Sequence, residues 1–222
     1  MLTARTVSGW VKARCANGNL VTSIAEQLAG IELPRRDREF VIPWPAPGLP
    51  GSFLSFQQRE RWRAFVVALD LDERVPTVVR AKFHRALRLL YLAWLEADII
   101  KAAELVAMTT LELALRDRHG AAGQGGKRPS FGALLKHMVK SDGLTDAQVP
   151  MIARCGGTVV GRVSGSIRPS LREIRNSLAH GDPFDGLPHA GLIELVRDLI
   201  MFAYRRYLAE ADALLGSTAA LR

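Results

Sequence analysis

The sequence predicts an all-α bundle of about five main helices, preceded by a short irregular N-terminal extension. Beyond Pro76, apolar residues recur with the period of amphipathic helices, and capping or stop residues interrupt the pattern. Before that point, four prolines fall within residues 43–50, where they remove backbone donors and fix φ. We therefore expect an extension over residues 1–75 and a helical domain over residues 76–222, a division that a chain of 222 residues can support.

The first part of the extension has two interpretations. Asn17-Gly18 favours a tight turn, so the flanking runs Val7 to Cys15 and Leu20 to Ile24 predict a β-hairpin. Leu20 to Ile31 is equally compatible with a short helix. The sequence alone leaves both open.

The second part of the extension predicts an extended arm and one helix. The proline-rich run from Phe40 to Gly51 is an arm or linker, in which Trp44 packs on a protein surface rather than stacking on bases. Ser55 to Gln58 then offers a capping signal for a helix that ends near Leu71. Its solvent-facing residues are Arg59, Arg61 and Arg63.

The helical domain alternates periodic segments with connections. Besides a motif helix that begins after Ser170, helices are predicted over Val78 to Leu95, Ala97 to Arg118, Phe131 to Val139, Asp146 to Ala153, and Pro188 to about Leu215. The glycine-rich connection around Gly126-Lys127 is not a P-loop, because a helix precedes it and no Ser or Thr follows the lysine. Cys155 to Gly165 contains four glycines and predicts a mobile loop. The last helix buries Leu192, Leu195, Leu199, Phe202 and Leu208.

The motif helix carries both structural and chemical signals. Ser170 and Glu173 have the spacing of a capping box, and Gly181 followed by Pro183 ends the helix. One face is apolar, formed by Leu171, Ile174 and Leu178. Another face carries Asn176 and His180, with Arg175 beside it.

Positive charge concentrates just before this helix. The chain has a net charge of +8, and residues 120–172 hold eight basic side chains against only Asp142 and Asp146. Such a segment favours a polyanionic partner, and we expect RNA contacts from Lys127, Arg128, Arg168 and Arg172. A solvated basic surface is the alternative.

The cysteines and the apolar runs indicate the cellular compartment. Cys15 and Cys155 are far apart, which argues against a disulfide framework or a cysteine-based zinc site and suits a reducing cytosol. No signal segment opens the chain, and the longest apolar run, Leu89 to Leu95, is too short to span a bilayer. We expect a cytoplasmic protein that has no membrane partner.

The side chains of the motif helix suit RNA cleavage without a metal. A histidine can take a proton from the 2′-hydroxyl or give one to the leaving 5′-oxygen, and an arginine fork matches phosphate oxygens. Asn176 can bind the phosphate or orient the imidazole. We find no clustered set of metal-ligating residues, and expect no cofactor. The remaining histidines are assigned to surface or packing: His84, His119, His137 and His189.

The run Leu171-Arg-Glu-Ile-Arg-Asn-Ser-Leu-Ala-His-Gly181 resembles the signature helix of the HEPN superfamily (higher eukaryotes and prokaryotes nucleotide-binding). That signature is an Arg, often followed by Asn, and a His after four to six residues, matched here by Arg175, Asn176 and His180. Glu112, within Leu111-Glu-Leu-Ala-Leu-Arg116, resembles the preceding long helix of many members. The resemblance covers roughly residues 76–214.

The resemblance implies a ribonuclease that acts as a homodimer, a toxin of a toxin–antitoxin pair or an antiviral defence effector. Two motif helices would face each other across one composite site, with one His180 as base, the other as acid, and both Arg175 side chains on the phosphate. The product would carry a 2′,3′-cyclic phosphate. Pro183 stands where such toxins commonly carry a tyrosine that is modified, so neutralisation by nucleotidylation of that tyrosine is not expected.

Other interpretations of the same residues remain open. Arg175 can pair with Glu112 to join two helices, and the same pair can position the arginine for catalysis. His180 can simply terminate its helix. At the level of function, the alternatives are an inactive HEPN module that binds nucleotide or nucleic acid within a larger complex, and a plain helical dimerisation protein.

Overall fold

The computed structural model describes residues 22–119, 128–181 and 186–219, and within them the chain is mainly helical. These ranges contain nine α-helices, one 3₁₀ turn and one two-stranded sheet. In chain order they are α1 (Ile24–Ala29), β1 (Phe40–Pro43), β2 (Phe53–Phe56), α2 (Arg59–Val67), α3 (Thr77–Leu92), α4 (Ile99–His119), α5 (Phe131–Lys140), the 3₁₀ turn Asp146–Gln148, α6 (Pro150–Cys155), α7 (Val159–Ser164), α8 (Leu171–His180) and α9 (Leu192–Ala219). Among the described helices, none is long and apolar enough to cross a membrane.

The centre of the fold is α4, which packs against α3, α5, α8 and α9. Its buried residues surround most of its circumference, as expected for a helix in the middle of a bundle. The long helices predicted at Val78, Ala97 and Pro188 correspond to α3, α4 and α9, and the short helix predicted at Phe131 corresponds to α5. All five residues predicted to be buried on α9 are buried.

The proline-rich arm is extended, as predicted, but it forms half of a β-hairpin that packs on the helices. Strands β1 and β2 pair antiparallel, with Phe40 opposite Phe56. Alternate residues of the arm, Phe40, Ile42 and Trp44, are buried. The prediction that Trp44 packs rather than stacking on bases is confirmed, since its indole donates a hydrogen bond to Glu194 at 3.1 Å.

Trp62 on α2 joins the hairpin to the helices. Its ring lies 5.0 Å from the rings of Phe40 and Phe56, and its indole nitrogen donates to the carbonyl of Tyr91 on α3 at 2.9 Å. The hairpin and the helices share one hydrophobic cluster, which contains buried residues from α1 through α9. The boundary predicted after residue 75 stays a prediction.

Two local predictions in the extension were only partly right. Ser55 does not cap α2, because it lies in β2 and its hydroxyl bonds Glu39. The helix begins at Arg59, and it ends earlier than expected. Of the alternatives for Leu20 to Ile31, the helix is present as α1, capped by Ser23; the first strand of the competing hairpin lies outside the described residues.

The predicted mobile loop over Cys155 to Gly165 was wrong, because it contains α7. Thr158 caps this helix by accepting from Gly161, and Asp146 accepts from the amides of Val159 and Val160. Gly161 packs on Ile167, where a side chain would clash. The glycines therefore lie beside a short helix or at its packed face, and they do not form a mobile loop.

A buried acidic network fixes α9 in the bundle. Glu194 and Asp198, one turn apart, are 5% and 4% exposed. Glu194 accepts from Trp44 of the arm and from Arg154 of α6, while Asp198 accepts from the backbone of Met151. Arg197 donates to both carboxylates. Because buried carboxylates need such partners, the network ties α9 to the arm and to α6.

Candidate functional site

The motif helix α8 forms as its local signals predict. The Ser170 hydroxyl accepts from the Glu173 amide at 3.3 Å, and the Glu173 carboxylate accepts from the Ser170 amide at 2.8 Å, which completes a capping box. Gly181 ends the helix with a positive φ of 66°, a conformation that glycine adopts without strain. Leu171 and Ile174 are buried against the core and Leu178 is partly buried. The helix is thus held by one face, and its polar faces are left for chemistry.

Arg175 is paired with Glu112 of α4. The Arg175 Nη2 donates to Glu112 Oε2 at 2.9 Å, and Arg116 Nη2 donates to Glu112 Oε1 at 2.5 Å. The Glu112 side chain is 8% exposed, whereas those of Arg175 and Arg116 are 29% and 46% exposed. One buried carboxylate therefore holds two arginines whose outer edges reach solvent. The pairing that the sequence favoured is present.

More positive charge surrounds this pair. Lys82 and Arg85 of α3 lie on the same side as Glu112 and Arg116. Burial lowers the pKa of Lys82. The charge of Glu112 opposes this shift, whereas the positive charges of Arg85 and Arg116 add to it. We call Lys82, Arg85, Arg116 and Arg175 the basic surface. With one carboxylate among four basic groups, it attracts an anion.

Asn176 and His180 lie beside the basic surface on α8. Both are exposed, and they are four residues apart, so they share a helix face. The Asn176 carbonyl oxygen accepts from Arg175 Nη1 at 3.1 Å, which connects the amide to the arginine. Arg175 and His180 are five residues apart, about 140° around the helix, and no hydrogen bond joins these two described side chains. A single chain thus presents one exposed imidazole and one guanidinium held by Glu112, on different faces of the same helix.

The predicted RNA-binding residues separate into two groups. Arg168 and Arg172 line a pocket of about 350 Å³ together with Lys136 of α5. The Arg172 side chain lies across Gly132, where a Cβ would come within 3.0 Å of it. Arg128 is exposed but does not line this pocket, and Lys127 lies outside the described residues.

A separate cleft of about 390 Å³ borders α8 on the side of Glu173 and Ser177. Its walls include Lys101 from α4 and His189, but not Arg175, Asn176 or His180. The predicted catalytic groups therefore lie on an open surface rather than in this cleft. Such a surface needs a second macromolecule to become an enclosed site.

Sequence reasoning missed a cluster at the other end of α4. His119 ends α4, His137 lies on α5 and Asp142 follows it; one ligating atom from each lies within 4.8 Å of the others. Burial lowers the pKa of His119, an effect that the neighbouring His137 and Arg118 enhance and Asp142 opposes. The expectation that no set of ligating residues clusters was wrong, because the structure brings His119 and His137, which were assigned to surface or packing, together with Asp142. By contrast, His84 is a packed residue, buried and bonded to Asp70 and Gln27.

Comparison of the chain with family models, with curated proteins and with solved structures finds no match.

Replacing Glu112 with glutamine tests the ion-pair arrangement. We expect the Glu112→Gln variant to lose about 1–3 kcal/mol of unfolding free energy, because Arg175 and Arg116 lose the buried anion that they share. Chemical denaturation of both proteins measures the difference. The control is Glu60→Gln, whose ion pair with Arg59 is exposed, and little change is expected there. Equal stability of Glu112→Gln and wild type would contradict the structural role of the pair.

Proposed function

We propose that the protein is a metal-independent endoribonuclease with a HEPN-like helical bundle, acting as a toxin or host-defence effector. The observation that carries the proposal is that Arg175 and His180 both reach solvent on one capped helix, and that Arg175 is part of the basic surface. Arg175 supplies fixed positive charge for a pentavalent phosphate. His180 supplies a proton acceptor or donor that works near neutral pH.

Two chains form the site in this proposal. In-line cleavage of RNA needs a base for the 2′-hydroxyl and an acid for the 5′-oxygen, and each chain contributes one histidine on the motif helix. A twofold axis beside α8 supplies the second His180 and the second Arg175. Glu112 holds each Arg175 in place before RNA arrives, so little reorganisation is needed when charge develops on the phosphate.

The pocket of Arg168, Arg172 and Lys136 extends the contact to RNA. It lies at the start of α8, whereas His180 lies at the end of the same helix, about 14 Å away along its axis. The pocket can therefore hold the RNA backbone at a point removed from the cut. Lys127 and Arg128 remain predicted contacts.

Digestion of single-stranded RNA with end-group analysis tests the proposal. We expect the wild-type protein to cut RNA in the presence of EDTA and to leave 2′,3′-cyclic phosphate and 5′-hydroxyl ends, because the 2′-oxygen is the nucleophile. Mass spectrometry of the fragments identifies the ends. Products with 3′-hydroxyl ends, or cleavage that requires added Mg²⁺, would contradict the proposed chemistry.

One observation favours a second candidate, an inactive module that binds nucleotide or nucleic acid in a larger complex. Arg175 is already engaged by Glu112 and makes no contact with His180. If this arrangement persists in the assembled protein, the basic surface binds RNA without cutting it. The second candidate then predicts RNA binding without any cleavage. The logarithm of the affinity should fall linearly with the logarithm of the salt concentration.

A further inference from the structure

The cluster at the end of α4 is independent of the proposed ribonuclease site. His119 lies seven residues beyond Glu112, about 10 Å farther along the axis of α4. Its side chain and that of Asp142 are only 11% and 13% exposed. We propose that His119, His137 and Asp142 bind a divalent transition-metal ion, Zn²⁺, and that this ion joins the end of α4 to the end of α5.

The geometry of the three side chains is close to that of a zinc site. His119 Nε2 and Asp142 Oδ2 are 3.0 Å apart, and all three ligating atoms lie within 4.8 Å. Two ligands on a tetrahedral Zn²⁺, each at about 2.0–2.1 Å, are about 3.3 Å apart. The His137 ring, whose centroid is 4.6 Å from that of His119, would have to bring its nitrogen closer to the other two ligating atoms by up to about 1.5 Å. Small side-chain shifts therefore suffice to surround an ion.

A simple ion pair between His119 and Asp142 explains the two buried atoms less well than a bound cation does. Both contacting atoms are buried, yet within the described residues neither has a hydrogen bond of acceptable geometry, despite their separation of 3.0 Å. Buried polar atoms normally have a partner. A cation between them and His137 would satisfy both atoms at once and would explain why the second imidazole points to the same place.

The surrounding structure holds the backbone of Asp142 in position. The backbone amide of Asp142 donates to the carbonyl of His137 at 3.2 Å, which turns the chain back after α5. Arg205 donates to the backbone carbonyl of Asp142 at 2.6 Å, so its contact leaves the carboxylate available to a metal. The other nearby cation, Arg118, lies over the ring of Tyr204. Neither arginine therefore occupies the carboxylate by a hydrogen bond, and the backbone that carries it is fixed.

The donor set indicates the class of metal. Two imidazoles and one carboxylate suit Zn²⁺ and similar first-row ions, whereas Mg²⁺ and Ca²⁺ prefer sites made only of oxygen atoms. Three protein ligands leave a coordination position for water. Because the ion would bind only the folded chain, in which residues 119 and 142 are close, it would stabilise the junction of α4 and α5 together with the pocket residue Lys136.

Zinc titration of the untagged, metal-stripped protein tests the proposal. We expect one Zn²⁺ per chain by calorimetry and a melting temperature that rises with zinc concentration. His119→Gln, His137→Gln and Asp142→Asn should each weaken binding by more than about 100-fold, since loss of a second-shell partner alone costs roughly 10–100-fold. His189→Gln is the matched control and should bind zinc as tightly as wild type.

Two outcomes overturn the proposal: wild-type protein that binds no stoichiometric zinc, or ligand variants that bind it as tightly as wild type. If the variants do not fold, nitrogen NMR of the wild-type histidine rings decides. Zinc must then shift the ring signals of His119 and His137 and leave those of His84 and His189 unchanged; any other pattern refutes the site. RNA cleavage by a folded Asp142→Asn variant is measured in a separate assay. Failure of the zinc proposal can then be distinguished from failure of the ribonuclease proposal.

Discussion

Replacing both Arg175 and His180 with alanine is expected to abolish RNA cleavage while leaving the fold intact. Loss of a general acid or base typically lowers the rate by about 10²–10⁴-fold, and loss of a positioned charge on the phosphate lowers it by a comparable factor. Both side chains reach solvent, so their removal leaves no cavity in the core. The rate of fragment formation from a labelled single-stranded RNA, measured in EDTA, gives the result.

Matched controls separate catalysis from general charge loss. Arg61→Ala removes an exposed arginine from α2, and His189→Gln removes a histidine outside the basic surface; both should cleave like wild type. Arg175→Lys keeps the charge but loses the two-pronged fork, so a partial loss is expected. Cleavage by the double variant at the wild-type rate would refute the proposed ribonuclease site.

Mixing the inactive double variant with wild type examines the composite site. If each site needs both protomers, an equal mixture after subunit exchange retains about a quarter of the wild-type activity, because only dimers with two intact chains function. If each chain acts alone, half of the activity remains. Activity proportional to the wild-type fraction would therefore rule out a shared site.

Trp62→Ala is expected to have the largest effect on stability, a loss of about 3–5 kcal/mol. Trp62 is fully buried, contacts the rings of Phe40 and Phe56, and donates to the Tyr91 carbonyl, which would be left unsatisfied. Because these contacts link the β-hairpin to α3, the whole described fold should lose stability in one cooperative transition. Urea denaturation followed by both fluorescence and circular dichroism measures it.

Phe53→Ala is the control for this substitution. It removes an aromatic ring from β2, but that ring is 56% exposed, so a change within about 0.5 kcal/mol is expected. A second, separate transition in Trp62→Ala, with the helical residues unfolding as in wild type, would instead show that residues 1–75 fold as an independent extension.

The parts of the structure that the sequence predicted are those set by local chemistry. Ser170, Glu173 and Gly181 act within a few residues of one another, so the limits of α8 follow from spacing alone. The partnership of Glu112 with Arg175 was also foreseeable, because a carboxylate on a helix that is apolar nearly all round requires a cation. The bounds of α3, α4 and α5 follow from apolar periodicity.

The parts that escaped prediction depend on distant residues or on competing local signals. Four glycines suggested a loop, but the cap of Thr158 and the more distant Asp146 produce α7. The histidine cluster forms because α4 packs against α5, and no spacing rule joins His119 to His137. Proximity of this kind is a property of the tertiary fold.

The carboxylates of Glu194 and Asp198 also limit how the bundle can move. Sliding α9 by one turn, about 5.4 Å, would carry both charges away from Arg154, Trp44 and the Met151 amide into apolar surroundings, at a cost of several kcal/mol. The helix is therefore locked against axial translation.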